Sequence, residues 1–123
     1  MQINDAEKHR IDIIAQICHN VNKAYCESIG EDNIVSWYKA SEDVKESVRI
    51  GVKEVIQDSH IMPEEIHDKW VQYKKKQGWK FGKVKDADKK THPDLVPYNK
   101  LPVEQKAKDY IFIALVRQVK QLL

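Results

Sequence analysis

Residues 78–102, GWKFGKVKDADKKTHPDLVPYNKLP, interrupt an otherwise helical pattern and decide which fold the chain can adopt. They hold two glycines and three prolines among many charged residues, a composition too broken for one long helix or strand. Within them, Trp79-Lys80-Phe81 and Val84 are candidates for a short β hairpin. The segment is therefore predicted to be an irregular Pro-rich loop with a minor β element.

Helical patterns lie on both sides of this segment. A helix is predicted to begin at Pro102, and another to run from Pro63 to Gly78, because proline suits the first turn of a helix and glycine its end. A further helix is expected from Ser41, a capping residue, to near Asp58. Gly51 lies inside that helix at a cost in helix propensity, which predicts close approach of another element.

The remaining helix is predicted from Asp5 to Ser28, with Gly30 as its stop. Its apolar residues recur at three- and four-residue spacing, which predicts a single buried face of Ile11, Ile14, Ile17, Cys18, Val21, Tyr25 and Ile29. The predicted fold class is therefore mainly α: a small helical domain of about four helices with a minor short β hairpin and the irregular loop.

Length and composition are those of one globular domain. The chain has 123 residues, 41% hydrophobic and 33% charged, and we expect residues 1–123 to form one domain. No apolar run approaches the roughly 20 residues that a bilayer span requires. Residues 1–10 lack the pattern of a signal peptide, so a cytoplasmic location is expected, with Cys18 and Cys26 reduced.

Charge is distributed unevenly along the chain. Residues 1–62 carry 7 Lys/Arg against 11 Asp/Glu, whereas residues 69–100 carry 10 Lys against only three Asp. An anion is therefore expected to bind the second stretch. A phosphate-bearing small molecule, a nucleic acid and an acidic protein surface all fit this field, and charge alone does not choose among them.

Several short motifs of the second half resemble the ryanodine receptor repeat (RyR) domain. They occur in the family's order and spacing over residues 63–123: Gly78-Trp79, Gly82, Lys90, His92-Pro93, Leu95-Val96-Pro97-Tyr98 and Leu101-Pro102, preceded by His67 and Trp70. Residues 1–62 are similar to the N-terminal part of small bacterial and phage proteins that carry one copy. The sequence departs from the usual pattern at Phe81, where Tyr is common, and at Asp94, where Cys is common.

The resemblance implies a noncatalytic cytoplasmic module, with sensing of nucleotides or nucleotide-derived messengers as one expected role. Trp70 and Trp79 would then stack on a base while lysines bind its phosphates, as in aromatic recognition of nucleotides generally. The full predicted ligand set is Trp70, Trp79, Lys74, Lys85, Lys89, Lys90, Arg49 and His67. The competing interpretation makes the tryptophans core residues, the lysines a solvated surface, and His92 to Tyr98 a scaffold.

Other functions have less support from the sequence. The chain lacks a P-loop and the GxGxxG, HExxH and GxSxG motifs, and its five histidines are scattered, so neither an enzyme, a cofactor nor a metal is predicted. Lysines interleaved with aromatic residues fit a single-stranded nucleic acid, although a pI near 8.4 argues against duplex binding. A homodimer formed through the first helix or the Trp37 loop is the remaining alternative.

Overall fold

A computed structural model describes residues 3–123 and confirms a mainly helical fold. Its regular elements in that range are α1 (Asp5–Ser28), α2 (Glu42–Gln57), α3 (Pro63–Lys76), β1 (Lys80–Phe81), β2 (Thr91–His92) and α4 (Val103–Leu122). Short 3-10 turns lie at Trp37–Lys39 and Tyr98–Lys100. Within residues 3–123, none of these helices combines the length and apolar character needed to cross a membrane.

Local signals fix the ends of the helices. The Ser41 hydroxyl accepts a hydrogen bond from the Val44 amide at 3.3 Å, and Pro63 occupies the first turn of α3. Gly30 and Gly78 follow α1 and α3 with φ angles of 85° and 91°, a conformation that glycine adopts without steric cost. The predicted bounds of these helices are therefore confirmed.

The hydrophobic core lies between α1, α2 and α4, and α3 packs against α2 and α4. The buried cluster consists of Ile11, Ile14, Ala15, Cys18, Trp37, Val52, Val55, Ile61, Ile66, Ile113 and Val116. The predicted buried face of α1 was partly wrong, because Ile17, Tyr25 and Ile29 are only half-buried and Val21 is 36% exposed. Ile17 and Val21 lie to one side of the face that α2 and α4 cover, and neither belongs to the core cluster.

Gly51 is where α2 and α4 approach each other closely, as predicted. A Cβ atom at this position would lie 2.9 Å from Cζ of Phe112 on α4. A side chain at residue 51 would therefore displace the ring of Phe112, which is partly buried against the core.

The two strands form a parallel pair, which corrects the predicted hairpin. Lys80 pairs with Thr91 and Phe81 with His92, and the Lys80 amide donates to the Lys90 carbonyl at 2.9 Å. The chain reverses twice between the strands, and an antiparallel bridge joins Asp86 to Thr91. Two reversals restore the original direction, so the strands run parallel, and Val84 lies in the connection instead of in a strand.

Candidate functional site

Aromatic side chains from α3 and the segment after it meet in one group, the aromatic cluster, formed by His67, Trp70, Trp79, His92 and Tyr98. Ring centroids of Trp70 and His92 are 5.1 Å apart at nearly a right angle, and those of Trp79 and His92 are 6.4 Å apart. His67 lies 5.7 Å from Trp70 and 5.9 Å from Tyr98. His92 thus stands between the two tryptophans, both of which keep part of their surface open to solvent.

Lys74 is a buried cation beside this cluster. Its side chain is on α3, one turn after Trp70, and the residue is only 8% exposed. The ammonium lies 5.1 Å from the centre of the Trp79 ring, and within residues 3–123 no carboxylate comes within 4 Å of it. The Trp79 amide donates to the Lys74 carbonyl across the turn at Gly78, which holds lysine and ring together.

Charged side chains from three parts of the chain lie next to the aromatic cluster and form a second group, the charge cluster. It consists of Glu31 after α1, Asp94 after β2, and Lys108 and Asp109 on α4. The Lys108 ammonium is 3.6 Å from Glu31 and 3.9 Å from Asp94. Asp109 Oδ2 lies 3.8 Å from Nδ1 of His67, whose Nε2 is 2.8 Å from the Val96 carbonyl. His67 therefore joins the two clusters.

The electrostatic environment is positive around His92. Burial lowers the pKa of His92 to about 3, and repulsion from Lys85, Lys108 and Lys74 adds to the effect. Burial also lowers the pKa of Lys74, and that of Lys85 as well although its side chain is exposed overall. The positive charges of these lysines all act at His92, so an anion beside His92 would be attracted by each of them.

In the charge cluster, burial shifts the pKa values of the carboxylates upward, opposite to its effect on the lysines and His92. Burial raises the pKa of Asp109 to about 7, helped by repulsion from Asp94 and opposed by Lys108. Burial likewise raises the pKa of Asp94. Asp109 is therefore poised to change its charge near neutral pH, next to His67.

Two buried polar atoms near these groups have no hydrogen-bond partner within residues 3–123: the Tyr98 hydroxyl and Oε1 of Gln105. Gln105 donates to Glu31 through its Nε2 at 2.7 Å, but no group donates to its Oε1 within residues 3–123. Buried polar atoms of this kind are uncommon in proteins and are usually satisfied by water or a ligand.

The structure brings only part of the predicted ligand set together. Trp70, Trp79, His67 and Lys74 are in contact as described, and Lys85 acts electrostatically on Lys74 and His92. The predicted role of His92 as scaffold is compatible with its position between the tryptophans, where its Nδ1 accepts from the Asp94 amide at 3.0 Å.

Three predicted cations have other surroundings. Arg49 binds Asp12 at 2.9 Å and lies over the ring of Trp37, so it belongs to the packing of α2 on α1. The Lys90 ammonium donates to the Gln77 carbonyl at the end of α3, at 2.9 Å. The Lys89 side chain is exposed, and its backbone amide bonds to Asp86.

The sequence-based prediction missed Lys108, Asp109 and Glu31. The first two lie on α4, more than 25 positions after Trp70 and Trp79, and Glu31 follows α1. One available signal was Asp94, a charged residue in the otherwise apolar LVPY region, which would need a buried cationic partner. Lys108 supplies that partner.

Two open grooves lie on other surfaces of the molecule. One, of about 260 Å³, separates α3 from residues 95–97 and is lined by Asp68, Val71, Gln72, Lys75, Leu95, Val96 and Pro97. The other runs along α1. Neither is lined by Trp70 or Trp79, so the convergent charged and aromatic groups lie outside both grooves.

The elements in this order define a class: a small helical domain in which a basic insert with a parallel strand pair lies between the third and fourth helices. The family model of the RyR domain matches residues 46–120, which is more than half of the chain. The chain therefore belongs to the RyR domain family, which confirms the resemblance noted in the sequence. The match begins inside α2, earlier than the motifs from residue 63 onward indicated.

Proposed function

We propose that this RyR domain is a noncatalytic cytoplasmic module that binds a small anionic molecule carrying an aromatic ring, most simply an adenine nucleotide or a nucleotide-derived messenger. The ligand would contact the aromatic cluster and the three lysines whose charges act on His92, namely Lys74, Lys85 and Lys108. The base would stack on Trp70 or Trp79, and the phosphates would lie toward the lysines.

The observation that carries this proposal is the environment of Lys74. Lys74 is only 8% exposed as a residue, so its ammonium group loses part of its solvation, and the carboxylate that would ordinarily compensate is absent within 4 Å in the described part of the chain. The Trp79 ring compensates partly, through a cation–π contact. A bound phosphate would supply the missing negative charge, so ligand binding would relieve a cost already present in the free protein.

The tryptophans support the aromatic part of the ligand. Both are only half-buried, and each base stacked on an aromatic ring contributes about 1–3 kcal/mol. Trp37, by contrast, is covered by the core and is only 6% exposed.

Isothermal titration calorimetry with ATP, ADP, ADP-ribose and cyclic mononucleotides tests the proposal. We expect saturable binding of at least one of them, weakened about tenfold or more in Lys74→Met, since a charge-assisted contact contributes about 1.5–3 kcal/mol. Lys76→Met, an exposed lysine in the same helical turn region, is the matched control and should bind like the wild type. Methionine at residue 74 also removes a buried charge, so the variant should fold at least as stably.

A second set of titrations separates the nucleic-acid alternative. Short single-stranded oligonucleotides should bind more weakly than the preferred mononucleotide, with affinity that falls steeply as salt rises. Tighter binding of oligonucleotides, unaffected by Lys74→Met, would favour a nucleic-acid binder. Absence of binding by any of these ligands at millimolar concentration would refute the proposal.

A further inference from the structure

Helix α1 carries a second apolar stripe that the fold covers only in part. Ile13, Ile17, Val21 and Ala24 line an open groove along this helix together with the polar residues Gln16 and Asn20. At about 100° per residue, the mean direction of Ile13, Ile17 and Val21 is about 110° from that of the core residues Ile11, Ile14, Ala15 and Cys18. The stripe is therefore a separate face, and all residues lining the groove belong to α1.

The stripe has the spacing of a helix–helix seam. Arg10, Ile13, Ile17, Asn20, Ala24 and Glu27 follow one another at alternating three- and four-residue intervals, as the contact positions of paired helices do. None of the six is fully buried. A monomer requires only the core face of α1, so this second periodic pattern indicates a partner helix.

The charges at the two ends of the seam identify the partner. We propose that the seam binds a second copy of this chain, with the two α1 helices antiparallel about a twofold axis. In that arrangement the numbers of any two residues that face each other have the same sum. Arg10 therefore lies opposite Glu27 of the other copy, Ile13 opposite Ala24, and Ile17 opposite Asn20. Each copy thus places a cation against an anion at both ends, and a large apolar residue against a small one beside it.

The surroundings of these charges fit the pairing. Within residues 3–123, Arg10 has no carboxylate within 4 Å, so its guanidinium is free to bind across the seam. Glu27 binds Lys23 at 2.9 Å through one oxygen, Oε2, and its other oxygen remains available. Residues 10–27 extend about 26 Å along the helix. The contact area of one helix face of this length is smaller than the ~800 Å² that each partner buries in a stable interface. The dimer is therefore a weak one.

Sedimentation velocity of the full chain from about 5 to 300 µM tests the dimer itself. We expect the weight-average sedimentation coefficient to rise with concentration toward that of a dimer. Val21→Lys should keep the chain monomeric over this range, whereas Val44→Lys should not, although both valines are 36% exposed. A monomer at every concentration, or an equal effect of the two substitutions, overturns the proposal.

A charge exchange tests the antiparallel register. Arg10→Glu and Glu27→Arg should each weaken self-association at least fivefold, because each variant places like charges opposite one another. An equimolar mixture of the two should associate again, since each copy then offers the charge that the other lacks. Circular dichroism at each step verifies that the variants remain folded. A dimer that persists in both single variants, or a mixture that stays monomeric, refutes this register.

Discussion

Asp109 offers the sharpest test of the electrostatics of the charge cluster. Its side chain is 20% exposed and lies 3.8 Å from His67. Burial, with repulsion from Asp94, raises its pKa from 3.8 to about 7. A carboxyl whose pKa is higher in the folded chain than in the unfolded chain binds more protons when folded, at every pH between the two values. Its contribution to stability is therefore complete below about pH 4 and is lost as the pH rises to about 7.

The size of this loss follows from the pKa. Between pH 5 and pH 8 the folded carboxyl deprotonates at about 7, so roughly two pH units contribute at 1.36 kcal/mol each, or about 3 kcal/mol at most. Residual exposure and the nearby Lys108 ammonium reduce this figure, and we expect about 1–3 kcal/mol. Asp109→Asn has nearly the same shape and cannot ionise. It should therefore be more stable relative to the wild type at pH 8 than at pH 5 by that amount.

Urea unfolding followed by circular dichroism at pH 5 and pH 8 measures the difference directly. Comparing the variant with the wild type at each pH cancels the contributions of titrating groups that do not interact with Asp109, including His92. Asp68→Asn, at an exposed position on α3, is the matched control and should show the same small change in stability at both pH values. If Asp109→Asn also changes stability equally at pH 5 and pH 8, the carboxyl is ionised throughout and the reasoning is refuted.

Three further predictions concern the insert and the close contacts of the helices. The pKa of His92 is lowered from 6.5 to about 3, so the folded chain binds fewer protons at His92 than the unfolded chain does and should lose stability as the pH falls from about 6.5 toward 3. In an NMR titration the ring signals of His92 should stay constant down to about pH 4.5, and a titration midpoint near 6.5 would contradict this. A Cβ at Gly82 would lie 2.5 Å from Cβ of Thr91, so Gly82→Ala should lower stability in urea unfolding by about 1–3 kcal/mol and speed amide exchange at residues 80–82. Gly51→Ala gains about 1 kcal/mol of helix propensity but overpacks Phe112, for a net loss of about 0–2 kcal/mol, whereas in a Phe112→Leu background it should stabilise α2 in the same assay.

Much of the fold could be predicted because its signals act within a few residues. Ser41, Pro63 and Gly78 each determine a helix end through a bond or a backbone angle in the adjacent turn. The hairpin could not be predicted correctly, since the direction of β2 depends on the Asp86–Thr91 bridge formed by the connection. Likewise, spacing alone assigned Ile17 to the core, although the position of α2 and α4 leaves that side of α1 open.

The candidate site was predictable only where its residues share α3 or follow it closely. His67, Trp70 and Lys74 lie on one face because they are three and seven residues apart, and Trp79 joins them through the turn at Gly78. Arg49 has the right charge for a phosphate, yet it pairs with Asp12, 37 residues away in sequence. No local pattern distinguishes a cation that is already paired from one that is not.

The sequence by itself determined the helix ends, the family and the face of α3 that carries the aromatic residues. Each of these depends on residue type and short spacing, which act through local backbone geometry. Only the tertiary structure decided that the strands run parallel and that Asp109 meets His67. It also decided that Lys74 is buried with no carboxylate within 4 Å among residues 3–123, while Lys90 binds Gln77. These features depend on which distant groups share a low-dielectric environment, and that is fixed only when the helices pack.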